Sequence, residues 1–165
     1  MLKSQIILGL DPGLADTGFG VIERVGQSLK YVVCGSIKTQ AKKNFVERLQ
    51  EIHQEVSGLL RDYQPGLVVV EKLFFAKNTK TAIDVGQARG VILLAIAECG
   101  ADLVELTPLQ VKQAIASSGQ ASKRQVGLMV KNCLHLSAVP RPDDAADALA
   151  IAIAGSFFNP ILKRQ

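Results

Sequence analysis

Leu67-Val68-Val69-Val70 is an unbroken apolar run that stops at a carboxylate, Glu71. Successive Val residues are stiff about χ1 and favour a strand. A strand without polar alternation has both faces covered, so this run suits a buried strand in a sheet flanked by helices. Glu71 then closes the run at the carboxyl edge of that sheet.

The chain before this run reads as three strands, Gln5 to Leu10, Thr17 to Val25 and Leu29 to Ser36, separated by short turns around Pro12-Gly13 and Gly26-Gln27. Turns this short join antiparallel neighbours. Phe45, Leu49, Ile52, Val56, Leu59 and Leu60 then recur at helical spacing, and Pro65-Gly66 ends the helix. Beyond Glu71 a long helix from Thr79 to Cys99 leads to a strand from Asp102 to Leu106, so a helix now bridges strands that run parallel. Pro108 opens a further helix at its first turn. Lys123 to Leu134 and Asp143 to Phe158 give two more. The expected architecture is an α/β fold with a mixed five-stranded sheet, three strands antiparallel and then two parallel, flanked by helices. Residues 1–158 form one domain, and 159–165, with Lys163 and Arg164, form a flexible basic tail.

Four carboxylates fall at related places in this scheme. Asp11 ends the first strand at a Pro12-Gly13 turn, and Glu71 ends the fourth. Asp144 and Asp147 open the last helix, where a spacing of three puts both on one face. Taken singly, Asp11 is an ordinary turn residue. Asp144 and Asp147 also complement a helix dipole, a contribution of about 0.3 to 1 kcal/mol each. Together the four read as one site. Two carboxylates about 4 Å apart repel by roughly 4 kcal/mol at an effective dielectric near 20, and a divalent cation removes that repulsion. An oxygen-only ligand set suits Mg²⁺ or Mn²⁺, whereas zinc draws on His or Cys. His53 and His135 fall inside predicted helices without ligand spacing. Asp143 stays open as an alternative, because Asp143 and Asp147 also share a helix face; it is equally placed to cap the helix.

Nineteen Lys and Arg against 15 Asp and Glu give a net charge of +4 and a pI near 9.1. Several acids belong to the inferred site, so the outer surface is more basic still and favours an anionic partner, nucleic acid above all. Cys34, Cys99 and Cys133 are odd in number and lie in apolar company, which reads as reduced core residues of a cytoplasmic protein. No apolar segment approaches the ~20 residues that a membrane helix requires. After Glu71, Phe74 and Phe75 alternate with Lys72, Lys77, Asn78 and Lys80. One loop aromatic of this kind suits stacking on an unpaired base, worth ~1 to 3 kcal/mol, and the other suits the core. Gly86 and Gly90 lie one turn apart in a helix, where they let another backbone approach, either the sheet or a second subunit.

Four motifs in order carry a resemblance: Ile7-Leu8-Gly9-Leu10-Asp11-Pro12-Gly13 with Thr17-Gly18-Phe19-Gly20, Glu71-Lys72-Leu73-Phe74-Phe75-Ala76-Lys77-Asn78, Gly86-Gln87-Ala88-Arg89-Gly90, and Asp144-Ala145-Ala146-Asp147-Ala148-Leu149-Ala150. Together they resemble the RuvC family of Holliday junction resolvases, within the ribonuclease H-like fold, over nearly the whole chain. The resemblance implies that Asp11, Glu71, Asp144 and Asp147 hold two Mg²⁺ ions per subunit, with Mn²⁺ as a substitute. It implies that Phe74 reaches DNA, beside Phe75 and Lys77, and that Lys112 and Lys123 support DNA binding and cleavage. It implies a homodimer, with a contact involving the Gly86–Gly90 helix, that nicks opposed strands of a four-way junction symmetrically beside a branch-migration motor of the RuvA and RuvB type. The expected chemistry is in-line phosphodiester hydrolysis by metal-activated water, leaving 5′-phosphate and 3′-hydroxyl ends.

Two rivals share the sheet topology. Asp11-x-Gly13-x-x-x-x-Gly18 also resembles the phosphate loop of actin-like ATPases and sugar kinases, but these clamp ATP between two domains with a second such loop. A nucleic-acid-binding or rRNA-processing relative without junction cleavage is the other, and the retention of all four acids argues against it.

Overall fold

The computed structural model describes residues 4–72 and 79–158. Short turns do produce an antiparallel meander: β1 (Ser4–Asp11), β2 (Asp16–Val25) and β3 (Ser28–Lys38), with Gly26 at φ 63° between the last two. The helix α1 (Phe45–Tyr63) starts at Asn44, whose side chain accepts from the Glu47 amide while Glu47 reaches back to the Asn44 amide. This reciprocal cap satisfies two donors that a helix start otherwise leaves open. Gln64, at φ 45°, turns the chain out of the helix ahead of Pro65. β4 (Leu67–Glu71) then enters parallel to β1, α2 (Thr79–Cys99) crosses over, and β5 (Asp102–Leu106) pairs parallel to β4. Three helices follow, α3 (Pro108–Ala116), α4 (Lys123–Cys133) and α5 (Asp143–Ser156). The sheet order is β3-β2-β1-β4-β5, which puts β1 at the centre.

Strand alternation divides the core in two. Ile7, Leu67 and Val69 face α3, α4 and α5, where they meet Val111, Val130, Leu149 and Ile153. Leu8, Leu10, Val68 and Val70 face α1 and α2 and meet Ile52, Val56, Ile92 and Ile96. All four apolar residues of β4 are no more than 1% exposed, as a strand covered on both sides requires.

Close packing of α5 on the sheet depends on glycine. A Cβ added at Gly9 would overlap the Ala148 carbonyl and come within 2.6 Å of the Ala152 amide. One added at Gly18 would overlap the Asp144 carbonyl. Missing side chains in β1 and β2 thus let the backbone of α5 lie directly on the strands, and the small Ala148 and Ala152 complete the fit.

Two expectations are corrected. Cys99 is exposed, because it ends α2 at the amino edge of the sheet beside Gly100, past the helix's buried stripe. His135 lies beyond the end of α4, in the left-handed region at φ 53°, where Asn132 and Lys131 carbonyls receive the turn's amides.

Candidate active site

Parallel pairing of β1 with β4 is in register at Leu10 and Val70, so the next residue of each strand, Asp11 and Glu71, emerges side by side at the carboxyl edge. The chain leaves Asp11 through a fixed turn. Thr17, fully buried, donates its hydroxyl to the Gly13 carbonyl at 2.6 Å, and its Oγ1 receives the Gly13 amide at 3.3 Å. Thr39 donates to the Leu14 carbonyl at 2.6 Å and holds the far side of the same turn.

The first turn of α5 lies over this edge because Gly18, the pairing partner of Asp11, leaves room for the Asp144 backbone. One oxygen each from Asp11, Asp144 and Asp147 come within 4.8 Å of one another, a spacing fit for a metal ion. Glu71 falls outside that trio but lines the same cleft, of about 310 Å³, with Asp11, Asp147, Lys112 and Lys123. Asp143 is excluded from the trio. Its exposed carboxylate pairs with the Arg141 guanidinium, and it does not cap α5, whose N-cap is Pro142 without a side-chain bond.

Electrostatics show how far this arrangement is from neutral comfort. Burial pushes the Asp11 carboxyl up to about 8, with the Glu71, Asp147 and Asp144 carboxylates adding to the rise and Lys123 opposing it. Glu71 is also raised, first by burial and then by Asp147, against a hydrogen bond with Asp11 and the charges of Lys123 and Lys112. Asp144 is raised by burial and by Asp16 and Asp147. Lys123 donates to Asp147 at 3.0 Å, which raises its own pKa. The acids outnumber the cations facing them, and the donors are all oxygen. Such a set fits a hard divalent ion, which would hold Asp11 ionised at neutral pH.

Lys112 and Lys123 reach the cleft from α3 and α4. Phe74, Phe75 and Lys77 lie outside the described residues. Two contributors escaped the sequence reading. Asp16 acts on Asp144 from the start of β2, and its Oδ1 is buried with no hydrogen-bond partner. Arg89, on α2, donates to the Glu105 carboxylate at 2.6 Å and to the Glu71 carbonyl at 3.4 Å, so it ties α2 to the edge that carries Glu71. Its place in the Gly86–Gly90 motif was the available signal.

A family model described as "Crossover junction endodeoxyribonuclease RuvC" matches residues 7–155, from β1 to the last turn of α5. The chain belongs to the RuvC family. Relatives include the RuvC of Natranaerobius thermophilus, 50% identical over 152 residues that cover 92% of this chain and 94% of that one. The RuvC of Halothermothrix orenii is 53% identical over 149 residues, 90% of each chain. Among solved structures, Thermus thermophilus RuvC in complex with a Holliday junction substrate superposes with a TM-score of 0.90 at 37% identity, covering 95% of this chain and 96% of that one. The mixed sheet and its flanking helices are therefore the ribonuclease H-like fold of RuvC structures, and the chain is a crossover junction endodeoxyribonuclease. The actin-like reading is set aside by the match to one nuclease family over residues 7–155.

Proposed function

We propose that this chain resolves four-way DNA junctions by symmetric paired nicks, with Asp11, Glu71, Asp144 and Asp147 as the ligands of two Mg²⁺ ions and 5′-phosphate and 3′-hydroxyl ends as products. The approach of Asp11, Asp144 and Asp147 within 4.8 Å is the observation that carries this reading. Bound divalent ions supply activation of the attacking water and neutralisation of the departing oxygen. The residues supply the geometry. Asp11 is central, since its carboxyl feels all three of the others. The Thr17 and Thr39 bonds hold its turn before substrate arrives, so little reorganisation is left for the reaction itself. Lys112 and Lys123 line the cleft and offset charge on the scissile phosphate. Phe74, with Phe75 and Lys77 beside it, stacks on a base unpaired at the crossover.

Symmetric nicking calls for two copies. The outer face of α2 supports a homodimer: Ile83 is 65% and Leu94 52% exposed, and a Cβ added at Gly90 between them would meet nothing within 4 Å. That open space supports a second subunit, rather than the sheet, as the surface to which Gly90 gives access. Two sites related by a two-fold axis match the symmetry of an open junction. The setting is cytoplasmic, beside a branch-migration motor of the RuvA and RuvB type. Among the described residues no helix is long and apolar enough to cross a membrane.

The test compares synthetic four-way junctions, linear duplexes and RNA-containing substrates under one set of Mg²⁺ conditions. Paired nicks at opposed strands of the junction are expected. Cleavage of duplex or RNA substrates at an equal rate would contradict the assignment.

A further inference from the structure

A second cleft, of about 320 Å³, opens between α4 and the start of α5 and shares Lys123, Val126 and Asp147 with the acidic one. Its polar rim is unlike that of its neighbour, with Lys123, Arg124 and Arg141 facing it against Asp143 and Asp147. Arg124 has no ion pair among the described residues. Arg141 is engaged by Asp143, but both partners are more than 60% exposed, and a pair this open to water is held weakly. An incoming anion can displace it.

Helix ends add to the same field. Lys123 and Arg124 occupy the first turn of α4, directly after its N-cap Ser122. That is the positive end of the helix, where cations oppose the macrodipole. The amino end of α5 abuts the cleft too, and Pro142 provides it with no side-chain cap. Two helix amino ends and three cationic side chains therefore converge on one hollow. Among the residues lining it, the charge offset comes from a loosely held carboxylate and from Asp147, which the proposed metals claim.

On the reading given under Proposed function, we propose that this cleft is a second phosphate subsite, which receives a phosphodiester flanking the scissile one on the strand being cut. Arg124 and Arg141 are its anion-binding groups. Arg suits the task because its planar fork of donors matches two phosphate oxygens. Continuity with the acidic cleft through Lys123 sets the order of events along the strand: the scissile phosphate lies against Lys112 and Lys123, and its neighbour lies beyond Lys123 against the two arginines. Holding two successive phosphates fixes the direction of the strand across the metal ligands, which a hold on one phosphate leaves free to rotate.

The experiment measures junction binding by wild type, Arg124→Ala/Arg141→Ala and Arg124→Gln/Arg141→Gln in Ca²⁺ across a range of salt, on junctions carrying a neutral methylphosphonate at each phosphate flanking the cut site. Both variants should bind about tenfold more weakly near physiological salt, with a slope of log K on log salt shallower by about 0.9, because one phosphate is no longer neutralised by the protein. One flanking methylphosphonate should weaken wild type by a similar factor and leave the variants unaffected, a non-additivity that a merely structural role does not produce. Melting temperatures should match or exceed wild type, since a cation leaves a helix amino end. An unchanged salt slope, or losses that add in full at every methylphosphonate position, would overturn the subsite. Failure of wild type to cut the unmodified junction in Mg²⁺ would instead overturn the reading on which the subsite rests.

Discussion

Asp11 is the residue on which the site turns, and its chemistry leads to a pH-dependent prediction. Its folded-state pKa, about 8, lies above the ordinary 3.8. Between those values the metal-free native state keeps a proton that the unfolded chain releases, so stability from this group is full at low pH and is lost as pH rises through about 8. Metal competes with that proton and removes the repulsion. The rise in melting temperature on adding millimolar Mg²⁺ should therefore be larger near pH 8 than near pH 6, and it should flatten in Asp11→Asn/Glu71→Gln. Equal responses at both pH values, measured by scanning calorimetry, would argue against a converged acidic site. Asp144 and Asp143 give a second test. Asp144→Asn should reduce single-turnover cleavage by more than the roughly 10- to 100-fold that loss of an outer partner costs, while Asp143→Asn falls short of tenfold. The reverse order would move the ligand by one residue. Sequence left these two neighbours unresolved because helical spacing alone puts either on a face with Asp147; three-dimensional packing separates them, with Asp144 turned over Gly18 and Asp143 drawn outward to Arg141.

Among the elements, α5 couples the fold to the chemistry. Its residues Ala145 to Ser156 are buried apart from Asp147, and its first turn rests on Gly18. Gly18→Ala would drive a methyl group into the Asp144 backbone. Overpacking of this kind costs about 1 to 3 kcal/mol, and here the yielding part carries two of the proposed ligands. Urea unfolding should show that loss, and cleavage should fall further than the fraction unfolded explains; a variant with normal stability and normal cleavage would mean that α5 has slack. Strand and helix bounds were largely legible in the chain. Pro65-Gly66 fixes the start of β4, and alternation assigns its Val residues to opposite cores. The reciprocal caps of Thr107 with Gln110 and Ser122 with Gln125 emerged only in the structure, although their three-residue spacing is a sequence signature. The close approach at Gly9 and Gly18 was not legible, because it depends on a helix more than 120 residues away, and a glycine in a strand carries no mark of its partner.

At the scale of the whole molecule, the proposed working unit is a basic nuclease domain with a second copy of itself. Leu94→Asp, on the exposed face of α2, should shift sedimentation to the monomer and turn paired nicks into single, uncoordinated ones, while leaving the melting temperature of the monomer little changed. A dimer that persists would place the interface elsewhere. The central claim, that β1, β4 and α5 bring four carboxylates to the sheet edge as one metal-binding cluster for junction cleavage, is tested most directly by Asp11→Asn. Junction cleavage in Mg²⁺ and junction binding in Ca²⁺ are measured on this variant beside wild type. Cleavage should be abolished while binding persists or tightens, since the substitution removes a charge that metal needs and phosphate resists. Cleavage by Asp11→Asn at the wild-type rate would contradict that claim.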